Sequence, residues 1–371
     1  MRILNFPLLH AAITLAFLLA GTVAQECAQS HNFTVSTQQQ VNAITRNCTE
    51  IAGELSLVDW SGSLTLHNIT RIQSIALYGG SITSLELPDL EYYGSNLILT
   101  NLPGLSRVSL PRLENIDVLH VGLTGDEPEL DCPRLTNASS VFLRGNFRSL
   151  SFDSLRYVTT KFDICNAINC DNFSYMNATT SMDLSFPALE RIGNLQVGGN
   201  VTRLSTPEVT AVTCSECDWA ALHLKLFGAA PITVDFPKLR NMEGNSYIRG
   251  DIASISLPAL HEYTHEFIVI PHQPLNISLP VETGGNFLFS GNVTEIHLPN
   301  LRDFTRIHVE SDLGFDCDDF WDDIKQTHSS PLNESNVDAY FQCSWGVSYA
   351  AGLGIRFTTA IAFAVTMVVG L

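Results

Sequence analysis

Charge is scarce in this chain, and positive charge is scarcer still. Of its 371 residues 16% are charged, and 20 Lys and Arg stand against 38 Asp and Glu, a formal net charge of −18. A typical soluble domain is about one quarter charged. Nucleic acid and anionic membrane surfaces both recruit positive charge, so the balance argues against either as a partner. The C-terminal apolar run is also short for a membrane span. A membrane-spanning helix needs about 20 such residues. The C-terminal run Thr358 to Leu371 has fourteen, and extending it back to Ala350 takes in Arg356. No residue pattern points to a cofactor.

What is abundant is one recurring phrase. Leu85-Glu-Leu-Pro-Asp-Leu90 returns as Val108-Ser-Leu-Pro-Arg-Leu113, Leu184-Ser-Phe-Pro-Ala-Leu189, Val234-Asp-Phe-Pro-Lys-Leu239, Ile255-Ser-Leu-Pro-Ala-Leu260 and Ile296-His-Leu-Pro-Asn-Leu301. Variants start at Leu64, Leu130, Leu150, Leu204 and Ile277, giving eleven copies. Most steps between copies are 19 to 23 residues, and two are longer, 34 and 30. A period in this range marks a solenoid, whose coils bury their apolar faces by stacking on their neighbours.

Within each copy apolar residues alternate, as at Leu85 and Leu87, which is the period of a short strand with one face inward. Proline has no N–H and belongs at a strand end, where it turns the chain outward at the same place in each coil. Another apolar residue follows the phrase three positions on, as at Ile116, Ile192 and Tyr263, and a second alternating run such as Leu97-Ile-Leu99 or Leu195-Gln-Val197 comes next. The pattern predicts an all-β protein: a right-handed parallel β-solenoid of leucine-rich-repeat-like coils, with two or three strands per coil and a length of about 50 Å.

The ends read as processing signals. Arg2, the apolar stretch Leu8 to Ala20 and the small residues of Thr22-Val-Ala24 predict a signal peptide cut after Ala24. Small residues around Ser344 to Gly354, then the apolar tail, fit a glycosylphosphatidylinositol (GPI) attachment signal. Gly346 is the preferred attachment residue, with Ser344 and Ser348 as alternatives. The predicted division is a signal peptide over 1–24, an N-terminal cap over 25–60, repeats over 61–310 with insertions near 160–180 and 212–230, a C-terminal cap over 311–343, and an attachment signal over 344–371 removed after about residue 346. Ten Asn-x-Ser/Thr sequons lie between the signals: Asn32, Asn47, Asn68, Asn137, Asn172, Asn177, Asn200, Asn276, Asn292 and Asn333. In an exported chain they predict a heavily N-glycosylated surface.

Export makes disulfides the default state of the nine cysteines. Cys27 and Cys48 bracket the segment before the first coil, and Cys317 and Cys343 bracket the segment after the last, so each pair is expected to close a cap. End coils need such caps because their apolar faces and strand edges are otherwise open. Cys165, Cys170, Cys214 and Cys217 lie in the two long steps, and either local pairing or a cross-link between the insertions fits. Cys132 occupies an inward slot and reads as a buried thiol.

Three motifs suggest chemistry and have blander readings. His261-Glu-Tyr-Thr-His265 matches a zinc-protease pattern, but that chemistry needs both His on one helix face. In register with the coils the segment is instead a turn entering a strand, with Tyr263 inward. Cys214-Ser-Glu-Cys217 has no second pair at zinc-finger spacing, so a structural disulfide is preferred. The acidic run Asp312 to Asp323 lacks EF-hand spacing and reads as a short capping helix with acids in its first turn. No catalytic, cofactor or metal residues are assigned.

The cysteine-bracketed opening Cys27…Phe33-Thr-Val…Cys48-Thr-Glu-Ile-Ala-Gly-Glu-Leu-Ser-Leu57, the Leu-Pro-x-Leu coils, and the acidic close Phe315-Asp-Cys-Asp-Asp-Phe…Tyr340-Phe-Gln-Cys343 resemble the fungal GPI-anchored cell-wall organisation proteins of the Ecm33/Sps2 type, whose coils are related to the receptor L-domain. The resemblance covers roughly residues 27 to 371. Two departures stand out: a Ser/Thr-rich stalk is nearly absent, and the two cysteine-bearing insertions are unusual. The resemblance implies a non-enzymatic role in wall integrity, with wall polysaccharide or other wall proteins as partners and the plasma membrane reached through the GPI lipid. The alternatives are a polysaccharide-acting β-solenoid enzyme, with paired carboxylates in a groove, and a receptor-like ligand-binding ectodomain.

Overall fold

The structure is a computed structural model that describes residues 27, 32–122, 127–167, 170, 181–214, 220–228, 230–327 and 340–346. The signal segment, residues 347–371 of the attachment segment, the sequons Asn172, Asn177 and Asn333, and Cys217 and Ser348 lie outside the described residues. The chain winds as a nearly all-β solenoid of about twelve turns, and among the described residues the paired strands run parallel. At about 4.8 Å per rung the stack is roughly 60 Å long.

The main sheet is built from the run that follows each phrase. Its inward ladder starts at Phe33, Leu55, Ile75, Leu97, Leu119, Val141 and Phe162. It continues through Leu195, Leu222, Ser246, Phe267, Phe287, Ile307 and Phe341. The segment before the first phrase therefore supplies two rungs of its own, Phe33–Val35 and Glu50–Leu57. Stacking like on like lets each apolar side chain cover the one below it. A fully buried Leu, Val or Phe contributes about 1.5–3 kcal/mol this way.

The phrase itself forms the opposite face. Ser61–Thr65, Ser81–Glu86, Arg107–Ser109, Glu129–Asp131 and Ser149–Ser151 make one sheet, and Leu275–Ser278 with Val293–His297 makes another. Between them Leu195–Ser205 belongs to both faces. Its first half pairs with Phe162–Asn166 in the main sheet, and its second half pairs with Met182–Ser185 on the phrase side. The phrase residues meet in register: Leu64, Leu85, Val108, Leu130 and Leu150 form one ladder, and Leu184, Leu204, Val234 and Ile255 another. The last residue of the phrase is buried throughout, as at Leu90, Leu113, Leu189, Leu260 and Leu301.

Proline acts through a β-turn. The Leu113 amide donates to the Leu110 carbonyl, Leu189 to Phe186 and Leu260 to Leu257, at 3.1–3.3 Å. That places Pro at the second turn position, where its fixed φ is favoured. The third-residue follower is buried at Ile116, Ala138, Val158, Ile192, Val212, Met242 and Tyr263. Gly284 interrupts this ladder. A Cβ there would lie 2.2 Å from the Phe287 ring, so the ring of the next inward residue fills the slot.

Both ends are closed. Helix α1 (Gln38–Thr45) starts at a Thr37/Gln40 capping box and buries Val41. The Cys27–Cys48 disulfide ties the segment before it to the loop after it. Helix α2 (Cys317–Thr327) has Asp318 and Asp319 in its first turn, and the Asp316 carboxylate accepts from both of their amides. Phe320 of α2 packs on Phe315 and Phe341, and Trp321 lies 4.6 Å from Phe341, ring to ring. The Cys317–Cys343 disulfide joins α2 to the last rung, Phe341–Trp345. The acidic run is thus the helix cap that its sequence predicts. Cys132 is a buried free thiol.

Candidate ligand-binding face

Alternation sends every second residue of the main sheet outward. The central outward row runs Ile98, His120, Phe142, Asp163, Gln196, His223, Tyr247, Ile268. A flanking row runs Gly122, Arg144, Cys165, Gly198, Lys225, Arg249, Ile270. On the other flank Lys161 stands beside Ser140. In-register stacking therefore assembles residues that are remote in sequence into a flat surface with a side chain every rung.

Two aromatic contacts lie along the central row. The His120 and Phe142 rings are 5.6 Å apart, and His223 meets Tyr247 edge-on at 5.0 Å. Lys161 Nζ lies 5.8 Å from the Phe142 ring centre. Asp163, buried at 4% exposure, accepts from Arg144 at 3.0 Å and pairs with Lys161 at 3.5 Å. Burial lowers the pKa of His120, and the Arg144 charge lowers it further, while Asp163 opposes them. The neutral imidazole is the favoured form here.

A depression opens in this face between Arg144 and Lys225, with Asp163, Gln196, Gly198 and His223 in its lining. Its origin is local. Cys165 turns back through a disulfide to Cys170, and the next residue in its row is Gly198. A Cβ on Gly198 would meet Cys170 Sγ at 2.9 Å, so glycine admits the disulfide loop onto the sheet. The inner cysteines thus pair locally at Cys165–Cys170. Cys214 is disulfide-bonded as well.

The other sequence motifs lie elsewhere. His261 and His265 are exposed, at the entry and within strand Glu262–Pro271, with Tyr263 between them buried in the core. This is the strand arrangement expected from the coil register, and it is not the helix a zinc protease needs. Glu190 has its pKa lowered, chiefly by the hydrogen bond from Arg156 and then by that from the Tyr157 hydroxyl. A glycosidic general acid requires the opposite shift. Ser344 is in the last rung and Gly346 directly follows it.

The sequons are distributed unevenly. Asn47 follows α1, Asn68 is in a phrase turn with φ 65°, and Asn276 is on the phrase side. Asn137 opens its strand at a rung position before the outward rows, and Asn200 and Asn292 lie past them at a corner. Asn32, whose side chain accepts from the Glu54 amide, is level with the outward rows at their first rung. From Leu119 to Ser246 no described sequon falls on the outward rows. This face has no sequence signature, because its members come from separate coils and share no motif.

No family model and no solved structure matches the chain. Two curated relatives do. One is Protein ecm33 of Aspergillus fumigatus, 24% identical over 323 residues that cover 81% of this chain and 78% of the relative. The other is Cell wall protein ecm33 of Schizosaccharomyces pombe, 23% identical over 270 residues that cover 70% of this chain and 58% of the relative. Both comparisons support the family to which the caps and coils point: over most of its length the chain is similar to the Ecm33 proteins.

Proposed function

We propose that the chain is a cell-wall protein, exported, N-glycosylated and GPI-anchored, that organises wall polymers by binding them and catalyses no reaction. The observation that carries this reading is the outer face of the main sheet, stacked in register rung upon rung. A stack of parallel rungs held by apolar ladders is a rigid, flat, repeating surface, suited to a repeating polymer. The S. pombe relative is named as a cell wall protein, which supports the location. The position of the last rung supports the anchor: Phe341–Trp345 runs directly into Gly346, so attachment there, or at Ser344 or Ser348, stands the rod on the membrane without a stalk.

The test is extraction from intact cells of protein tagged after Ala24. Release by phosphatidylinositol-specific phospholipase C supports the anchor, and release by β-glucanase supports covalent residence in the wall. Retention in detergent-soluble membranes after both treatments would favour a receptor-like ectodomain, a reading to which the aromatic contacts of His120 with Phe142 and His223 with Tyr247 also lend weight. Free secretion into the medium would overturn the anchor and return attention to a glycan-acting enzyme.

A further inference from the structure

Among the described residues four large apolar side chains are exposed, and two of them sit together at the N-terminal end of the outer sheet face. Ser56 and Ala76 are register partners on that face. Two residues beyond them, at the same place in successive coils, come Val58, 46% exposed, and Tyr78, 71% exposed. Ala76 partners Ile98 and Tyr78 partners Thr100, and the central row runs on from Ile98 through His120 to Phe142. The Tyr78 ring thus stands beside a floor of small and apolar side chains. Charge is sparse here. On the rungs that start at Leu55, Ile75, Leu97 and Leu119, the described outward positions hold one charged residue, Glu54, which accepts from the Ser56 hydroxyl at 2.7 Å. Asp59 turns the corner just past Val58, with φ 52°. Arg71, in the same strand as Ala76, lies at the strand entry with its guanidinium 4.7 Å over the Tyr92 ring. The charges at the edges of the floor are therefore carboxylates, which repel an anionic polymer and leave an uncharged one unopposed.

We infer that this end of the face binds a neutral β-linked polysaccharide, one sugar stacking on the Tyr78 ring and its neighbours lying over Ala76 and Ile98. The inference rests on the reading of the protein as a polymer-binding wall component and names the polymer's chemistry. A β-linked pyranose with equatorial ring substituents presents two apolar C–H faces, and a flat aromatic ring covers such a face while its hydroxyl stays in water. Polar groups ring the floor for the sugar hydroxyls: the Ser56 and Thr100 hydroxyls both donate and accept, and the Glu54 and Asp59 carboxylates accept. An α-mannan carries axial substituents that roughen the sugar face, and a polyuronate meets the acidic edges. The sequons leave the floor open. Asn68 is in a phrase turn on the other side of the coil, and Asn32 is two rungs below Tyr78 on the opposite flank of the sheet.

The full chain, purified as a fungal host processes it, is to be titrated against β-1,4-linked N-acetylglucosamine oligomers, β-1,3-linked glucan oligomers, α-mannan and polygalacturonate. The expected result is binding to a β-linked neutral chain in preference to the other two, with little change between about 0.05 and 0.5 M salt, because no charge pair is involved. Which of the two β-linked chains binds assigns the sugar. Tyr78→Ala should weaken that binding roughly tenfold, the scale of one aromatic anchor. Tyr78→Phe should keep it, because the ring face does the stacking. The Tyr78 side chain faces solvent, so both variants should fold as the parent does. Tyr92→Ala removes the exposed ring beneath Arg71 at the strand entry and should leave binding intact. Unchanged binding in Tyr78→Ala, an equal loss in Tyr78→Phe or Tyr92→Ala, or a preference for mannan or polygalacturonate overturns the inference and leaves polymer binding standing. Binding to none of the four overturns both.

Discussion

The Tyr263 hydroxyl lies 2.9 Å from the carbonyl of Gly244, one coil away, and 2.7 Å from the carbonyl of Glu266. One phenol thus satisfies backbone groups at a corner where two coils meet, inside the core. Burial pushes its pKa well up, with the Glu266 charge adding to the effect, so the hydroxyl remains a donor. Tyr263→Phe keeps the ring and deletes the donor. The expected cost is about 1–3 kcal/mol, the penalty for leaving a buried polar group unpaired. Urea unfolding of the two proteins measures it, and equal midpoints with equal slopes would contradict this role.

Gly284 and Phe287 make a second exchange between slots. The follower position carries a side chain in neighbouring coils, but here the ring of Phe287 occupies it. Gly284→Ala should destabilise by about 1–3 kcal/mol, the usual cost of overpacking a core. Adding Phe287→Leu should restore part of that loss, although Phe287→Leu alone destabilises. A double-mutant cycle by thermal unfolding tests the coupling, and strict additivity would show that the two residues do not share the space.

These two sites mark where the sequence stopped being legible. The inward slots could be read because strand periodicity and the phrase fix which residues face the core, and Cys132 was readable on the same ground. Gly284 breaks a ladder, and its reason lies in the ring contributed by Phe287, which no linear pattern connects to it. The outer face was hidden for a related cause. Arg144 and Lys225 come to flank one depression only when the two intervening rungs, at Cys165 and Gly198, have stacked and Gly198 has left its gap. The His261-Glu-Tyr-Thr-His265 motif shows the converse: five residues suggested a metal site, but the coil register, which needs the whole repeat, assigned them to a strand.

His120 gives the outer face a pH signature. Its folded pKa is lowered by burial first and by Arg144 second, with Asp163 opposing; Phe142 is the ring packed against it. An unfolded histidine takes up its proton near pH 6.5. As pH falls through that value the unfolded chain therefore binds the proton first, and stability declines until the folded imidazole also titrates. His120→Gln should lose less stability than the parent between about pH 7.5 and pH 5. Urea midpoints at the two pH values measure the difference. An identical decline in both proteins would remove His120 as its source.

The C-terminal disulfide should matter out of proportion to its position. Cys317–Cys343 closes a segment with a sequence separation of 26, against 5 for Cys165–Cys170. Chain-entropy reasoning assigns the larger loop about 3–4 kcal/mol and the smaller about 2 kcal/mol. Energy is only part of the expected effect. Cys317 begins α2, and α2 lays Phe320 and Trp321 against Phe341 of the last rung. Releasing that helix would uncover both an apolar ladder end and an unpaired parallel strand, the two features that drive edge-to-edge association. The Cys317→Ser, Cys343→Ser variant should therefore melt several degrees lower and also form concentration-dependent oligomers. Replacing Cys165 and Cys170 should lower the melting temperature less and leave the protein monodisperse, because that disulfide lies on the side of the stack and guards no end. Light scattering coupled to size exclusion separates the two outcomes, and a monodisperse end-cap variant would show that α2 holds the last rung without its covalent tie.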